Sequence, residues 1–286
     1  MRISTKLFGG IFFALSIISC EEEPPTGLKF KERPLLDTTY LSSAPAPQTK
    51  QTLLIDITGV RCNNCPRAAE KAHALEQANP GKIQILAIYP NYKPLSNPWE
   101  GFDTLVNKDA DDLVGTLGAV TNLPSGIIDN VSYNGKYFID ENSWSIVVDQ
   151  QKVKTTPINI ELKASWLSSE DKGRVEIKAV ANTSIPSTTK LNWVIAILED
   201  GMVGWQSTPT GVEENYTFKH VMRKLITSAY GDPLPQQDMP AGFTVEKHYY
   251  IPRVSKWKAD KLSCMVWVMN ADTKEILQVN KVKFIP

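Results

Sequence analysis

Cys62-Asn63-Asn64-Cys65 is the stretch of this chain whose residue types and spacing most directly imply chemistry. Two sulfurs separated by two residues reach each other within one turn of chain, so the pair can close a disulfide. Exchange at such a pair needs an attacking thiolate and a thiol that resolves the mixed disulfide. Cys62 stands beside Arg61 and at the start of an expected helix, and both a cation and free helical N–H groups favour the thiolate. Cys62 is therefore the expected nucleophile, and Cys65, deeper in the helix, the expected resolving thiol. The bland alternative is a permanent Cys62–Cys65 disulfide that staples a binding domain. A loop this short gains little stability from cross-linking, so both readings stay open.

The flanking elements are what would position the pair. Thr52–Ile57 is an apolar run that predicts a buried strand, and Pro66 followed by the alanine-rich segment 67–79 predicts a helix ended by Asn79-Pro80-Gly81. A strand over 82–89, an acid-headed helix over 109–118, a turn at Leu123-Pro124 feeding a strand, and a helix over 143–151 follow. Alternating strands and helices predict a small α/β domain over 50–155. From Thr156 the pattern changes. Ile158, Ile160, Leu162, Ala164 and Trp166 alternate with mostly polar residues, as do Val175, Ile177, Ala179 and Ala181. Period-two runs separated by turns predict an all-β sandwich over 156–286, interrupted by one helix over 218–228. Trp166, Trp193 and Trp267 fall in these strand runs and are expected in the core, whereas Trp99 and Trp205 are expected in loops.

Residues 1–19 have the basic start, apolar middle and small-residue end of a secretory signal, too short to span a membrane as a helix. Ser19-Cys20 resembles a bacterial lipobox, which implies acylation of Cys20 and a lipid anchor in the membrane. Residues 20–49, rich in proline and charge, read as a flexible tether. Of the four cysteines, Cys20 takes lipid, Cys62 and Cys65 pair, and Cys264 in an apolar run is an inert buried thiol. Basic and acidic residues balance at 31 each and form no basic stripe, which excludes nucleic acid as a partner. The expected partners are the membrane and an envelope protein or surface ligand. His73, His220 and His248 lack ligand spacing, so no metal is expected. No phosphate loop, dinucleotide fingerprint or serine elbow is present, so no cofactor is expected either. Asp37-Thr38-Thr39 and Asp103-Thr104-Leu105 match a short O-glycosylation pattern, making Thr38 and Thr104 candidate acceptors.

Two family resemblances follow from these motifs. The strand, the C-x-x-C pair and the helix are similar to those of thioredoxins. Asp56 stands six residues before Cys62, at the offset where thioredoxins bury a carboxylate behind the second cysteine, and would take or relay its proton. Pro124 matches the cis-proline that thioredoxins set against the dithiol to shape a peptide groove. Arg61 departs from the pattern, since thioredoxins carry tryptophan there. The second resemblance covers nearly the whole mature chain. Leu53 to Gly59 followed by Cys62-x-x-Cys65-Pro66, Pro124 to Asp129, and Phe218 to Arg223 resemble a Bacteroidota outer-membrane lipoprotein family named for an outer-membrane protein of twenty-eight kilodaltons. It implies a thioredoxin-like domain followed by an immunoglobulin-like sandwich, anchored by lipid at the outer membrane on its periplasmic or cell-surface face. That family resemblance does not settle function; the C-x-x-C site of the thioredoxin-like domain points to thiol–disulfide exchange or disulfide-controlled binding. The alternative is a non-enzymatic adhesin or assembly module with a structural disulfide.

Overall fold

The computed structural model describes residues 36–102, 104–167 and 172–285. The expected signal segment, the acylation site Cys20 and the first part of the tether lie outside these residues. The described chain is mostly β. A seven-strand path forms the larger sheet, in the order β14 (Ile276–Lys283), β13 (Leu262–Asn270), β7 (Leu191–Glu199), β10 (Val221–Leu225), β3 (Ile83–Ile88), β2 (Thr52–Ile57) and β4 (Ser125–Ile128), with β11 (Asp232–Pro233) paired to β7. A four-stranded sheet runs β1 (Thr38–Leu41), β12 (Phe243–Pro252), β6 (Lys172–Ala181), β5 (Ile158–Leu167). A separate hairpin joins β8 (Met202–Thr208) to β9 (Gly211–Phe218).

The division expected at 155/156 falls between α3 (Trp144–Gln151) and β5. Strands from both sides of it meet in the larger sheet, where β10 pairs antiparallel with β7 and parallel with β3. The helix expected over 218–228 is not formed: Phe218 ends β9, and Val221–Leu225 is the strand that joins the two halves. Phe218, Val221, Met222 and Leu225 recur at helical spacing, which is why the segment reads as a helix. Burial of Val221 and Leu225, separated by a bulge after Met222, satisfies the same apolar residues in a sheet.

β2 shows how the alternation positions the chemistry. Leu53, Ile55 and Ile57 face one layer with Ala110, Leu113 and Val114 of α2 (Lys108–Gly115). Leu54 faces the other, with Ala68 and Ala72 of α1 (Cys65–Ala78) and with Trp144, Val147 and Val148 of α3. Asp56, two residues after Leu54, therefore points toward α1. A further core fills the space between the four-stranded sheet and the other face of β7 and β13, built from Ile160, Ile177, Ile195, Ile197 and Val266 among others.

The tether expected over 20–49 differs in its last third. Thr38–Leu41 form β1, paired antiparallel with β12, and the Gln48 amide N–H donates to Asn159 Oδ1. Thr-Thr-Tyr-Leu is a β-favouring run, and the edge of β12 offers it a ladder. Among the described residues no helix is long and apolar enough to cross a membrane.

Candidate functional site

The Cys62–Cys65 disulfide is formed. Its setting differs from expectation in three ways. First, α1 begins at Cys65, so Cys62 lies in the turn before the helix, and the Cys65 N–H donates to Cys62 O. Second, Arg61 turns away from the sulfurs: its guanidinium donates to Asn97 O and Pro98 O and lies 3.9 Å over the Trp99 ring. Third, the expected nucleophile is covered. Cys62 is 2 % exposed and Cys65 1 %.

The cover comes from the β8–β9 hairpin, some 140 residues further along the chain than the pair it sits on. Gln206 Nε2 donates to Gly59 O and Cys62 O, and the Ser207 N–H donates to Val60 O. On the other side the Arg61 N–H donates to Leu95 O. Gly59 is required there, because a Cβ at that position would sit 2.6 Å from Leu95 O. Trp205, expected in a loop, lies in β8 and packs on Trp99 and Phe102 with centroids 5.8 and 5.6 Å away.

Beneath the hairpin is a cavity of ≈ 360 Å³ lined by Asp56, Cys65, Tyr89, Gln206, Tyr216 and His220 among others. Asp56 is 2 % exposed, and its Oδ1 is enclosed without a hydrogen-bond partner. Burial, with a smaller contribution from the Glu141 carboxylate, pushes its pKa up to about 7. Tyr216 is pushed up to about 12, first by burial and then by Asp56, so its phenol stays protonated at neutral pH. Pro124, joined to Leu123 by a cis bond, immediately precedes Ser125, which pairs with Ile57 at the end of β2 that leads to the cysteines.

His73 and His220, which line the cavity, belong to a cluster that sequence spacing does not reveal. His73 and Glu76 on α1 meet His220 from the turn between β9 and β10, with Glu76 Oε2 3.5 Å from His73 Nδ1 and 3.8 Å from His220 Nε2. Burial, then Lys281, lowers the His220 pKa, leaving it neutral near pH 7. His248 is apart from this group, beside Asp37. Cys264 is fully buried in β13, where burial pushes its thiol well up, as expected of an inert thiol. Trp193 and Trp267 are buried, and Trp166 stacks on Phe284 at the core edge. Thr38 and Thr104 are both exposed, but the Thr38 backbone is engaged in β1.

A family model described as Outer membrane protein Omp28 matches residues 116–285, a segment that includes Pro124 and His220 but not Asp56 or the cysteine pair. No curated protein matches the chain. Among solved structures, the chain is similar to HBP35 of Porphyromonas gingivalis at 13 % identity and a TM-score of 0.65, over 84 % of this chain and 77 % of that one. It is also similar to a protein of Agrobacterium tumefaciens at 15 % identity and a TM-score of 0.51, over 83 % and 96 % of the two chains. A domain of the outer membrane lipoprotein Omp28 from Porphyromonas gingivalis matches at 19 % identity and a TM-score of 0.29, over 46 % and 90 %. The first two likenesses establish a shared fold.

Proposed function

The chain belongs to the Omp28 family of outer membrane proteins, and from that premise we propose that it is a lipid-anchored thiol–disulfide exchange module with a covered active pair. Its first half is read as a thioredoxin-like domain and its second as an immunoglobulin-like sandwich that supplies the cover. Cys20 is the attachment point, since a signal-like segment ends on Ser19 before it. Cys20→Ala is expected to release the protein from the membrane fraction, and retention of the variant there would count against acylation. Thr38 and Thr104 are proposed glycan acceptors, to be checked by the intact mass of the purified protein against that of a Thr38→Ala, Thr104→Ala variant.

The observation that carries the exchange reading is Asp56. A buried carboxyl with an unpartnered oxygen costs stability. It shares a cavity with Cys65, and a pKa of about 7 lets it give or take a proton at neutral pH. In the proposed step the hairpin first lifts and Gln206 releases the Cys62 and Gly59 carbonyls. A substrate thiolate then attacks Cys62 Sγ, the Cys62–Cys65 bond breaks, and Cys65 leaves as a thiolate that takes the Asp56 proton. The second thiol of the same substrate attacks the substrate sulfur of the mixed disulfide and expels Cys62 as a thiolate, which takes up the proton that the attacking thiol loses. The substrate dithiol is oxidised to a disulfide, and the protein disulfide is reduced to two thiols.

The step is reversible, so a Cys62 thiolate also attacks a substrate disulfide and Cys65 then resolves it. Cys65→Ser is expected to hold that mixed disulfide with envelope proteins, and adding Gln206→Ala is expected to raise its yield. Absence of Cys62-linked species in both variants would refute exchange. One observation favours a second reading, a stapled binding module: both sulfurs are covered. That reading predicts no trapped species and a disulfide that resists reduction until the protein unfolds.

A further inference from the structure

We propose that His73, Glu76 and His220 form a binding site for a divalent transition metal of the zinc type. One candidate ligand atom from each residue lies within 4.8 Å of the other two, and Glu76 Oε2 faces both His73 Nδ1 and His220 Nε2. Zinc with ligands at about 2.0–2.1 Å in a tetrahedron holds them roughly 3.3 Å apart. The separations of 3.5 and 3.8 Å to Glu76 are close to that and too long for hydrogen bonds.

The unused nitrogens point the same way. Among the described residues, His73 Nδ1 and both ring nitrogens of His220 are enclosed without a hydrogen-bond partner. Enclosed polar atoms are ordinarily satisfied, and a cation at the centre would satisfy His73 Nδ1 and His220 Nε2 together. The surrounding groups hold the ligands in the required sense. Lys281 Nζ lies 4.0 Å from Glu76 Oε1 and leaves Oε2 for the metal. The Gln77 side-chain amide lies 3.1 Å from His73 Nε2; a metal on Nδ1 requires the proton on Nε2, and the same amide accepts it once its Oε1 is turned to the ring. Asp200 Oδ1 stands 3.7 Å from His220 Nδ1, where an outer carboxylate orients a metal-bound imidazole through its other nitrogen.

The backbone fixes His220 as well. It has a φ of +55°, which few residues other than glycine adopt. Its N–H donates to Asp200 Oδ1 at 2.7 Å and its carbonyl accepts from the Ala87 N–H at 2.9 Å. A costly conformation held by two hydrogen bonds is characteristic of functional positions. Two imidazoles and one carboxylate with room for a fourth ligand is the donor set of an open zinc site. The open side faces the cavity that His73 and His220 line with Cys65 and Asp56.

The test is calorimetric titration of Zn²⁺ alone into the untagged, detergent-purified full chain after stripping with a chelator. One equivalent is expected to bind. His73→Ala and His220→Ala are each expected to abolish that equivalent, and Asp200→Asn to weaken it by about tenfold to a hundredfold. His248→Ala is expected to bind as the wild type does. The Cys62→Ser, Cys65→Ser double variant is expected to bind as well, which separates this site from any thiolate site. His73 lies on the surface of α1, so its variant keeps the test valid should His220→Ala fail to fold. The proposal is overturned if the wild type takes up no Zn²⁺, if His73→Ala binds unchanged, or if the double cysteine variant loses the metal.

Discussion

The two ends of β2 each bury an aspartate and treat it in opposite ways. At the N-terminal end Asp129 is fully enclosed and fully partnered: Lys50 Nζ donates to Oδ2 at 2.8 Å and the Leu53 N–H donates to Oδ1 at 2.8 Å. Its carbonyl accepts from Ile276 of β14, so the pair sits where strands from both halves of the chain meet. Burial pushes this carboxyl up, and Lys50 and the Leu53 amide pull against it. At the other end Asp56 is equally buried, and Oδ1 has no partner. The first arrangement organises a fold. The second leaves a carboxyl oxygen unpartnered in the cavity that Cys65 also lines, the place we propose for the chemistry. Satisfaction of the buried acid, not burial itself, separates the structural end from the chemical one.

Removing the charge from each end should therefore have opposite consequences. The larger is expected at Asp129. Asp129→Asn keeps the left-handed backbone, which suits asparagine at its φ of +46°, but leaves the Lys50 ammonium buried without a counter-charge. A loss of about 3–5 kcal/mol in urea unfolding is expected. A loss near zero would mean that the ion pair does not organise the junction.

Asp56→Asn should do the reverse, and in a pH-dependent way. The folded pKa of about 7 lies above the unfolded value near 3.9. Between those values the folded state holds more protons, so the wild type loses stability as pH rises from roughly 4 to 7. At pH 8 Asp56→Asn is expected to be the more stable protein by about 2–4 kcal/mol, and below about pH 4 the two should be level. Denaturant midpoints at the two pH values check this. A variant less stable than wild type at pH 8 would show that Asp56 has a structural partner and would erase the contrast.

What the sequence discloses divides along similar lines. Asp56, Cys62 and Cys65 lie within ten residues, on a strand, a turn and a helix whose apolar runs and proline are strong local signals. Their convergence is therefore legible. β2, β7 and β13 are legible for the same reason, as unbroken apolar runs. The cover is not. β8 contains Gly204, and β9 runs Gly211-Val212-Glu213-Glu214-Asn215, mostly exposed, so neither shows a clear buried face. Their position depends on Gln206 meeting carbonyls far back in the chain. His73 and Glu76 are one helical turn apart, but their approach to His220 depends on β10 entering the sheet beside β3. The apolar residues of that segment also fit a helix, so local pattern alone selects the wrong element. β1 escapes for a third reason, since a four-residue edge strand takes its register from β12.

In the proposed function the covered pair is poised for exchange rather than locked. Its most direct test is the reduction potential of Cys62–Cys65 in the full chain, read by alkylation after equilibration in graded thiol buffers at pH 7. An exchange-competent pair is expected to be more oxidising than about −300 mV, the value below which structural disulfides of secreted proteins typically lie. A potential below that value, or a pair reduced only when the fold is lost, would contradict the account and leave the disulfide as a staple.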